Sequence, residues 1–315
     1  MAHGWTADDI PDQRGRLAVV TGANSGLGFV TARELARHGA QVVLACRNEE
    51  KGTEALAQLR AQVPTADVQL GSLDLGDLGS VRAFAERFTS EHAGLDLLVN
   101  NAGIMAVPRA KTADGFEAQI GTNHLGHFAL TGRLLPALLA RPQARVVNVS
   151  SIMHRLGRIN LDDLNSERRY QRWLAYGQSK LANLVFTFEL QRRAARGGVE
   201  LRAIAAHPGY SSTNLQTAGK TSLLDRLYAP IGNLVLAQSA DHGAWPSLYA
   251  ATMPDVPGGA YIGPDGIGEM RGHPHFVSAS GAAHDPDTGR QLWEQSERLT
   301  GVTYDFAATP VPSPS

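Results

Sequence analysis

One cysteine, no surplus of either charge and no long apolar run characterise this chain of 315 residues. Cys46 alone can neither close an internal disulfide nor assemble a thiolate zinc site. Against 30 Asp and Glu stand 29 Lys and Arg, a formal net charge of -1. A nucleic-acid partner would call for a basic face that displaces counterions, so none is expected. No run of about 18 apolar residues occurs, so no membrane span is expected. The first residues lack the basic and apolar regions of a secretory signal. These absences predict an ordinary globular protein of cytoplasmic location, long enough to bury a core without staples. What the chain has in excess is glycine, 33 residues, where average usage is roughly 7%.

Short apolar runs recur at residues 17–20, 42–45, 95–99, 145–149 and 201–205, the first ending in Thr21-Gly22. Such runs suit strands buried on both faces. Between them, helical periodicity covers 26–38, 49–62, 77–92, 117–140 (with Pro136 near its end) and 173–196. Strands alternating with helices of this length predict a parallel, doubly wound α/β sheet of about seven strands, with helices on both faces. No repeat and no strong linker divides the chain, so one domain is expected over 15–300, after a leader at 1–14. Beyond Pro208 the chain is rich in Gly, Ser and Pro, with helical stretches near 222–236 and 239–251 and a last strand and turn near 258–268. Residues 301–315 end in Pro- and Ser-rich sequence and read as a flexible tail.

Thr21-Gly22-Ala23-Asn24-Ser25-Gly26-Leu27-Gly28 follows the first strand and opens the first helix. Glycines there permit a tight turn and close approach of backbone to a pyrophosphate, and the helix start offers free N–H donors. The spacing is G-x-x-x-G-x-G rather than the more familiar G-x-G-x-x-G, and alone it is also compatible with a plain glycine turn. At the end of the second strand, Ala45-Cys46-Arg47-Asn48 stands where a chain selecting a free ribose 2′-OH carries Asp or Glu. Arg47, unless it is simply solvated, suits a 2′-phosphate, which predicts NADP(H) in preference to NAD(H).

Tyr176-Gly-Gln-Ser-Lys180 places a phenol and an ammonium one turn apart on a helix. At roughly 4 Å and an effective dielectric of about 20 their attraction is about 4 kcal/mol, or roughly three pKa units. A shift of that size brings a tyrosine into range for proton exchange near neutrality. Asn148-Val149-Ser150-Ser151 and Asn100-Asn101-Ala102-Gly103 end two further strands at the carboxyl edge, where doubly wound folds bind ligands.

Taken together, Thr21-Gly22-x-x-x-Gly26-x-Gly28, Asp74, Asn100-Asn101-Ala102-Gly103, Asn123, Ser151, Tyr176-x-x-x-Lys180 and His207-Pro208-Gly209 resemble the short-chain dehydrogenase/reductase family, in the family's order. The likeness covers about residues 15–265. It implies an NADP(H)-dependent oxidoreductase interconverting a ketone or aldehyde with its alcohol. Tyr176 would be the general acid or base. Lys180 would hold the nicotinamide ribose and lower the phenol's pKa, Ser151 would orient the carbonyl, and Asn123 would hold a water in a proton relay. Asp74 and Leu75 would flank the adenine. Asn101 and Ala102 would line the adenosine ribose, Gly103 would face the cofactor at a turn, and Pro208, Gly209 and Thr213 would meet the nicotinamide. Ser150 and Asn100 read as structural.

Ser151 and Tyr176 lie 25 residues apart, about twice the common separation, so 154–173 would form an irregular flap. That insertion, Arg47 and Trp5 are similar to the retinol-dehydrogenase-like and WW-domain-oxidoreductase-like branch. His154 in the flap and Tyr210 after the Pro-Gly would face substrate, and 210–238 would form a lid. Pairing through the helices at 117–140 and 173–196 makes a homodimer plausible. No Asp, Glu or His set joins His124 and His127 at a recognised spacing, so no metal is expected. The rival reading is a catalytically silent nucleotide-sensing or interaction protein on the same fold. An extended-branch epimerase or dehydratase fits less well, because its glycine spacing is missing.

Overall fold

A computed structural model describes residues 4–209 and 239–306. Eight strands form one sheet: β1 (Leu17–Thr21), β2 (Gln41–Cys46), β3 (Val68–Ser72), β4 (Leu97–Asn100), β5 (Arg145–Val149), β6 (Arg202–Ala206), β7 (Tyr261–Pro264) and β8 (Pro274–Phe276). Their order is β3-β2-β1-β4-β5-β6-β7-β8. All pairs are parallel except β7 with β8, so a short antiparallel edge strand joins the seven expected. Three residues with an opening proline carry too little alternation to be read as a strand from sequence.

The central strands are mostly apolar and buried because helices cover both faces. Ala18, Val20, Val42 and Leu44 point into one core, with Leu35, Leu59 and Leu248. Leu17, Val19, Val43 and Ala45 point into the other, with Phe84, Phe128 and Phe186. The two-residue period of the strand thus divides one run between two layers. The helices are α1 (Gly26–Arg37), α2 (Glu49–Gln62), α3 (Leu78–Glu91), α4 (Ala118–Ile120), α5 (Gly126–Leu139), α6 (Arg172–Arg196), α7 (Ala240–Thr252), α8 (Gly281–His284) and α9 (Pro286–Thr300). Among the described residues, no helix is long and apolar enough to cross a membrane.

The stretch 117–140 was expected as one helix. It is α4 and α5 joined by a π-helical turn at Gly121–Leu125. Such turns occur mostly as single-turn bulges and are frequent at functional sites, and this one carries Asn123.

The two ends of the described chain are packed. Trp5 Nε1 lies 3.2 Å from Met253 Sδ, and Ile10 is buried. Residues 302–306, expected to begin a flexible tail, are tied down: Tyr304 donates from its hydroxyl to Phe128 O at 2.6 Å. Trp293 of α9 is 2% exposed and meets Phe128 edge-on, with ring centroids 5.2 Å apart. Phe128 of α5 and Phe186 of α6 thus lie under α9 and its extension. The lid expected over 210–238 lies outside the described residues.

Trp293 closes this side of the core, so Trp293→Ala should cost about 3–5 kcal/mol, read as a lower urea midpoint at unchanged slope. A loss well under 1 kcal/mol would mean that α9 is dispensable to the core.

Candidate active site

The chain runs from β1 outward through β2 to β3, then returns to place β4 on the other side of β1. The loops after β1 and β4 therefore diverge and open a crevice at the carboxyl edge of the sheet. A cleft of about 320 Å³ occupies it.

Thr21 closes β1 and joins both banks of the crevice. Its hydroxyl accepts the amides of Asn101 and Ala102, each at 2.9 Å, while Asn101 Nδ2 donates to Thr21 O at 2.8 Å. With both lone pairs engaged, the hydroxyl proton is left for His127 Nε2 at 2.9 Å. His127 is then protonated on Nδ1, which donates to Asn123 O at 3.0 Å. Burial holds this imidazole down to about 4, so it stays neutral.

The glycine loop fits a backbone-bound phosphate. Gly22 has φ +67°, and a Cβ there would sit 3.0 Å from Ala102. A Cβ on Gly28 would meet Gly22 O at 2.5 Å. Ser25 precedes α1 without capping it through its side chain, so the amides of the first turn, at Gly26, Leu27 and Gly28, have no acceptor within the helix. Asn24 and Ser25 line the cleft with them. These are the features a pyrophosphate needs.

At the end of β2, the Cys46 thiol is buried beneath the loop and accepts from the amides of Ala23 and Asn24. Burial pushes it up to about 11. Arg47 is exposed and lines the cleft, and among the described residues it makes no ion pair. Asp74 and Leu75 border the same end, and Asp74 Oδ1 accepts from Gly76 N at 2.8 Å.

At the other end α6 presents Tyr176 and Lys180 one turn apart, with both side chains in the cleft wall and mostly buried. The Tyr176 hydroxyl is hydrogen-bonded to the Ser151 side chain, yet burial outweighs this and pushes the phenol up to about 12. Lys180 Nζ donates to Val149 O at 3.0 Å and stands 5.7 Å from the Tyr176 ring centroid. Burial pulls the ammonium down to about 8. The phenol is thus raised, not depressed as the helix spacing with its lysine predicts. Loss of water around both groups outweighs their attraction.

Ser151 also caps the short helix Ile152–Leu156, accepting from Met153 N at 3.2 Å. Ser150 donates to Lys180 O at 2.8 Å, and Asn100 Nδ2 donates to Asn148 Oδ1 at 2.8 Å. Both are the structural roles expected for them. The Asn123 side chain clamps Ile104, accepting its amide at 2.8 Å and donating to its carbonyl at 2.9 Å. It also donates to Ser179 Oγ, which donates to Tyr176 O. Gly103 passes over this point, where a Cβ would lie 3.1 Å from Asn123 Oδ1 and 3.5 Å from Lys180 Nζ.

His154 does not face the cleft. It is fully buried, with Nδ1 donating to Ser151 O at 2.8 Å and Nε2 accepting from Ser280 N at 3.2 Å. Both nitrogens are used in holding the turn after Ser151. The expected flap at 154–173 is strapped to α6: Asn160 N donates to Gln178 Oε1 at 3.0 Å, and Gln178 Nε2 donates to Leu164 O at 3.0 Å. Pro208 lines the cleft and Gly209 follows it at φ +66°. Thr213 and Tyr210 lie outside the described residues. Leu73, Ile104 and Thr122 also line the cleft, and no motif in the sequence marks them. They are loop and helix residues of ordinary type, without a spacing signal.

The short chain dehydrogenase family model matches residues 16–222. Retinol dehydrogenase 12 of Mus musculus is 42% identical over 297 residues, covering 92% of this chain and 88% of that protein. The crystal structure of an uncharacterized protein from Mycobacterium paratuberculosis is 51% identical with a TM-score of 0.80, covering 96% of this chain and 100% of that one. A short chain dehydrogenase from Escherichia coli CFT073, solved in complex with NADPH, is 25% identical with a TM-score of 0.59, covering 79% and 96%. Sheet order, cleft and sequence likeness agree over nearly the whole length, and the chain belongs to the short chain dehydrogenase family, where it is similar to the retinol dehydrogenases.

Proposed function

We propose that this oxidoreductase of CH–OH and C=O groups uses NADP(H), with Tyr176 as the group that gives a proton to the carbonyl oxygen or takes it from the alcohol. One observation carries the reading: Tyr176, hydrogen-bonded to Ser151, stands in the wall of the cleft one turn from Lys180. When bound, the dinucleotide supplies or accepts the hydride at its nicotinamide. The glycine loop and the open start of α1 would hold its pyrophosphate, and Arg47 a 2′-phosphate. Ser151 would hold the substrate oxygen in reach of the Tyr176 hydroxyl. A tyrosine kept protonated by burial is ready to donate in the reductive direction. Charged Lys180 lowers the cost of the phenolate left behind. The buried Asn123 clamp keeps Ile104, Ser179 and the Tyr176 turn in register, and a water relay beside it is part of this proposal.

The retinol dehydrogenase relative suggests an alcohol or aldehyde on an apolar body as the first substrate to try.

Tyr176→Phe should reduce NADPH-dependent carbonyl reduction by at least about a hundredfold while dinucleotide binding, followed by fluorescence, persists. Unchanged turnover would remove Tyr176 from the mechanism, and a wild type that binds NADPH but reduces no carbonyl would support the silent sensor instead. Because burial draws Lys180 down to about 8, kcat/KM for reduction should be full below that pH and fall as pH rises through it. A profile flat to pH 10 would remove Lys180 from the mechanism. Arg47→Ala should weaken NADPH binding about tenfold, the scale of one charge-assisted hydrogen bond at an exposed site, and leave NADH unaffected. Wild-type preference for NADH would overturn the choice of cofactor.

A further inference from the structure

Glu269 lies far in sequence from every motif yet contacts His207, next to the cleft residue Pro208, and Arg155, in the turn after Ser151. It belongs to the turn between β7 and β8, and its backbone is left-handed at φ +57° directly after Gly268 at φ +65°. For a glutamate this conformation is uncommon and is kept only where surroundings enforce it. One carboxylate oxygen, Oε2, accepts from His207 Nε2 at 3.0 Å. The other, Oε1, pairs with the Arg155 guanidinium at 2.9 Å, which also donates to Ser278 O at 3.0 Å. Arg155 sits in the helical turn that Ser151 caps.

His207 in turn is fully buried and receives the Gly209 amide on Nδ1 at 3.2 Å. That hydrogen bond places the ring proton on Nε2, where Glu269 takes it. The same turn presses on Gly209 directly, since a Cβ there would run into Met270 O. A Cβ on Gly263 would run into the His207 ring, so the strand beside it is shaped to admit the imidazole. The chain from Glu269 through His207 thus ends at Pro208-Gly209, and Pro208 forms part of the cleft wall.

We infer that Glu269 is a positioning residue for the redox reaction, bracing the Pro208-Gly209 backbone through His207 and the turn after Ser151 through Arg155. The inference rests on the reading that the cleft takes a dinucleotide. Glu269 touches no reacting atom. It sets the place of a backbone corner that borders the nicotinamide end, so its loss should weaken cofactor binding more than it slows turnover.

Glu269→Gly is the informative variant, because glycine suits the positive φ and folding is not at stake. Hydrogen exchange on the cofactor-free chain then reads the Gly209 amide without any activity assay. The expected result is exchange about tenfold faster at Gly209 and NADPH affinity lower by about fivefold, the scale of one lost hydrogen bond. The cofactor KM should rise while kcat stays within about twofold. Glu269→Gln keeps an oxygen for the His207 proton and should hold Gly209 exchange within about twofold of wild type. Unchanged exchange in Glu269→Gly overturns the proposal, and so does faster exchange with unchanged NADPH affinity. A wild-type chain that binds no dinucleotide overturns the reading of the cleft instead. In that event the exchange comparison still decides whether Glu269 braces the corner.

Discussion

Two loops must diverge to make a crevice, and something must keep them from drifting further. In this protein the Thr21 hydroxyl meets that need, with two amides from the β4 side arriving at one oxygen at the end of β1. The contact is possible only because Gly22 has no side chain to keep Ala102 away. His127, reaching in from α5, takes the remaining proton and is itself fixed by the carbonyl of Asn123. A neutral imidazole is required, and burial keeps it so. One hydroxyl thereby links β1, β4 and α5, and the distance across the dinucleotide cleft follows from it.

The redox end works under a different constraint. Tyr176 and Lys180 are both ionisable and both mostly buried. Each is drawn toward its neutral form. Their mutual attraction, estimated from the helix spacing alone, takes no account of the water both groups lose. Burial pushes the phenol up to about 12 and pulls the ammonium down to about 8, so the lysine is mostly charged at neutral pH and loses its charge as pH rises through that value. In the proposed reaction this pair would suit a step in which charge appears only briefly.

Much of this was legible in the residues. The glycine loop, Asp74, the Asn101-Ala102-Gly103 corner and the Tyr176–Lys180 turn come to one cleft, because short-range spacing and the alternation of strand and helix determine them. Helix α2 falls where periodicity put it. What stayed hidden depends on distant partners. The π-helical turn around Asn123 looks like continuous helix until Ile104 is placed beside it. His154 reads as a polar residue near the site, and only the fold shows Ser151 and Ser280 using both its nitrogens. The packing of Tyr304 against Phe128 joins residues 176 positions apart, and no local pattern signals it. Glu269 carries no motif at all, and its backbone strain is visible only in three dimensions.

The cover formed by Trp293 and Tyr304 also bears on how the chain is made. Phe128 and Phe186 are synthesised first, and the rings that bury them are encoded more than a hundred residues later. At about 5–20 residues per second these phenylalanines remain uncovered for on the order of ten seconds. The dinucleotide half, β1 to β4, can assemble during that interval, whereas the layer holding α5 and α6 closes only after α9 and its extension have emerged. Until then, the nascent polypeptide presents an apolar face of the kind that chaperones bind.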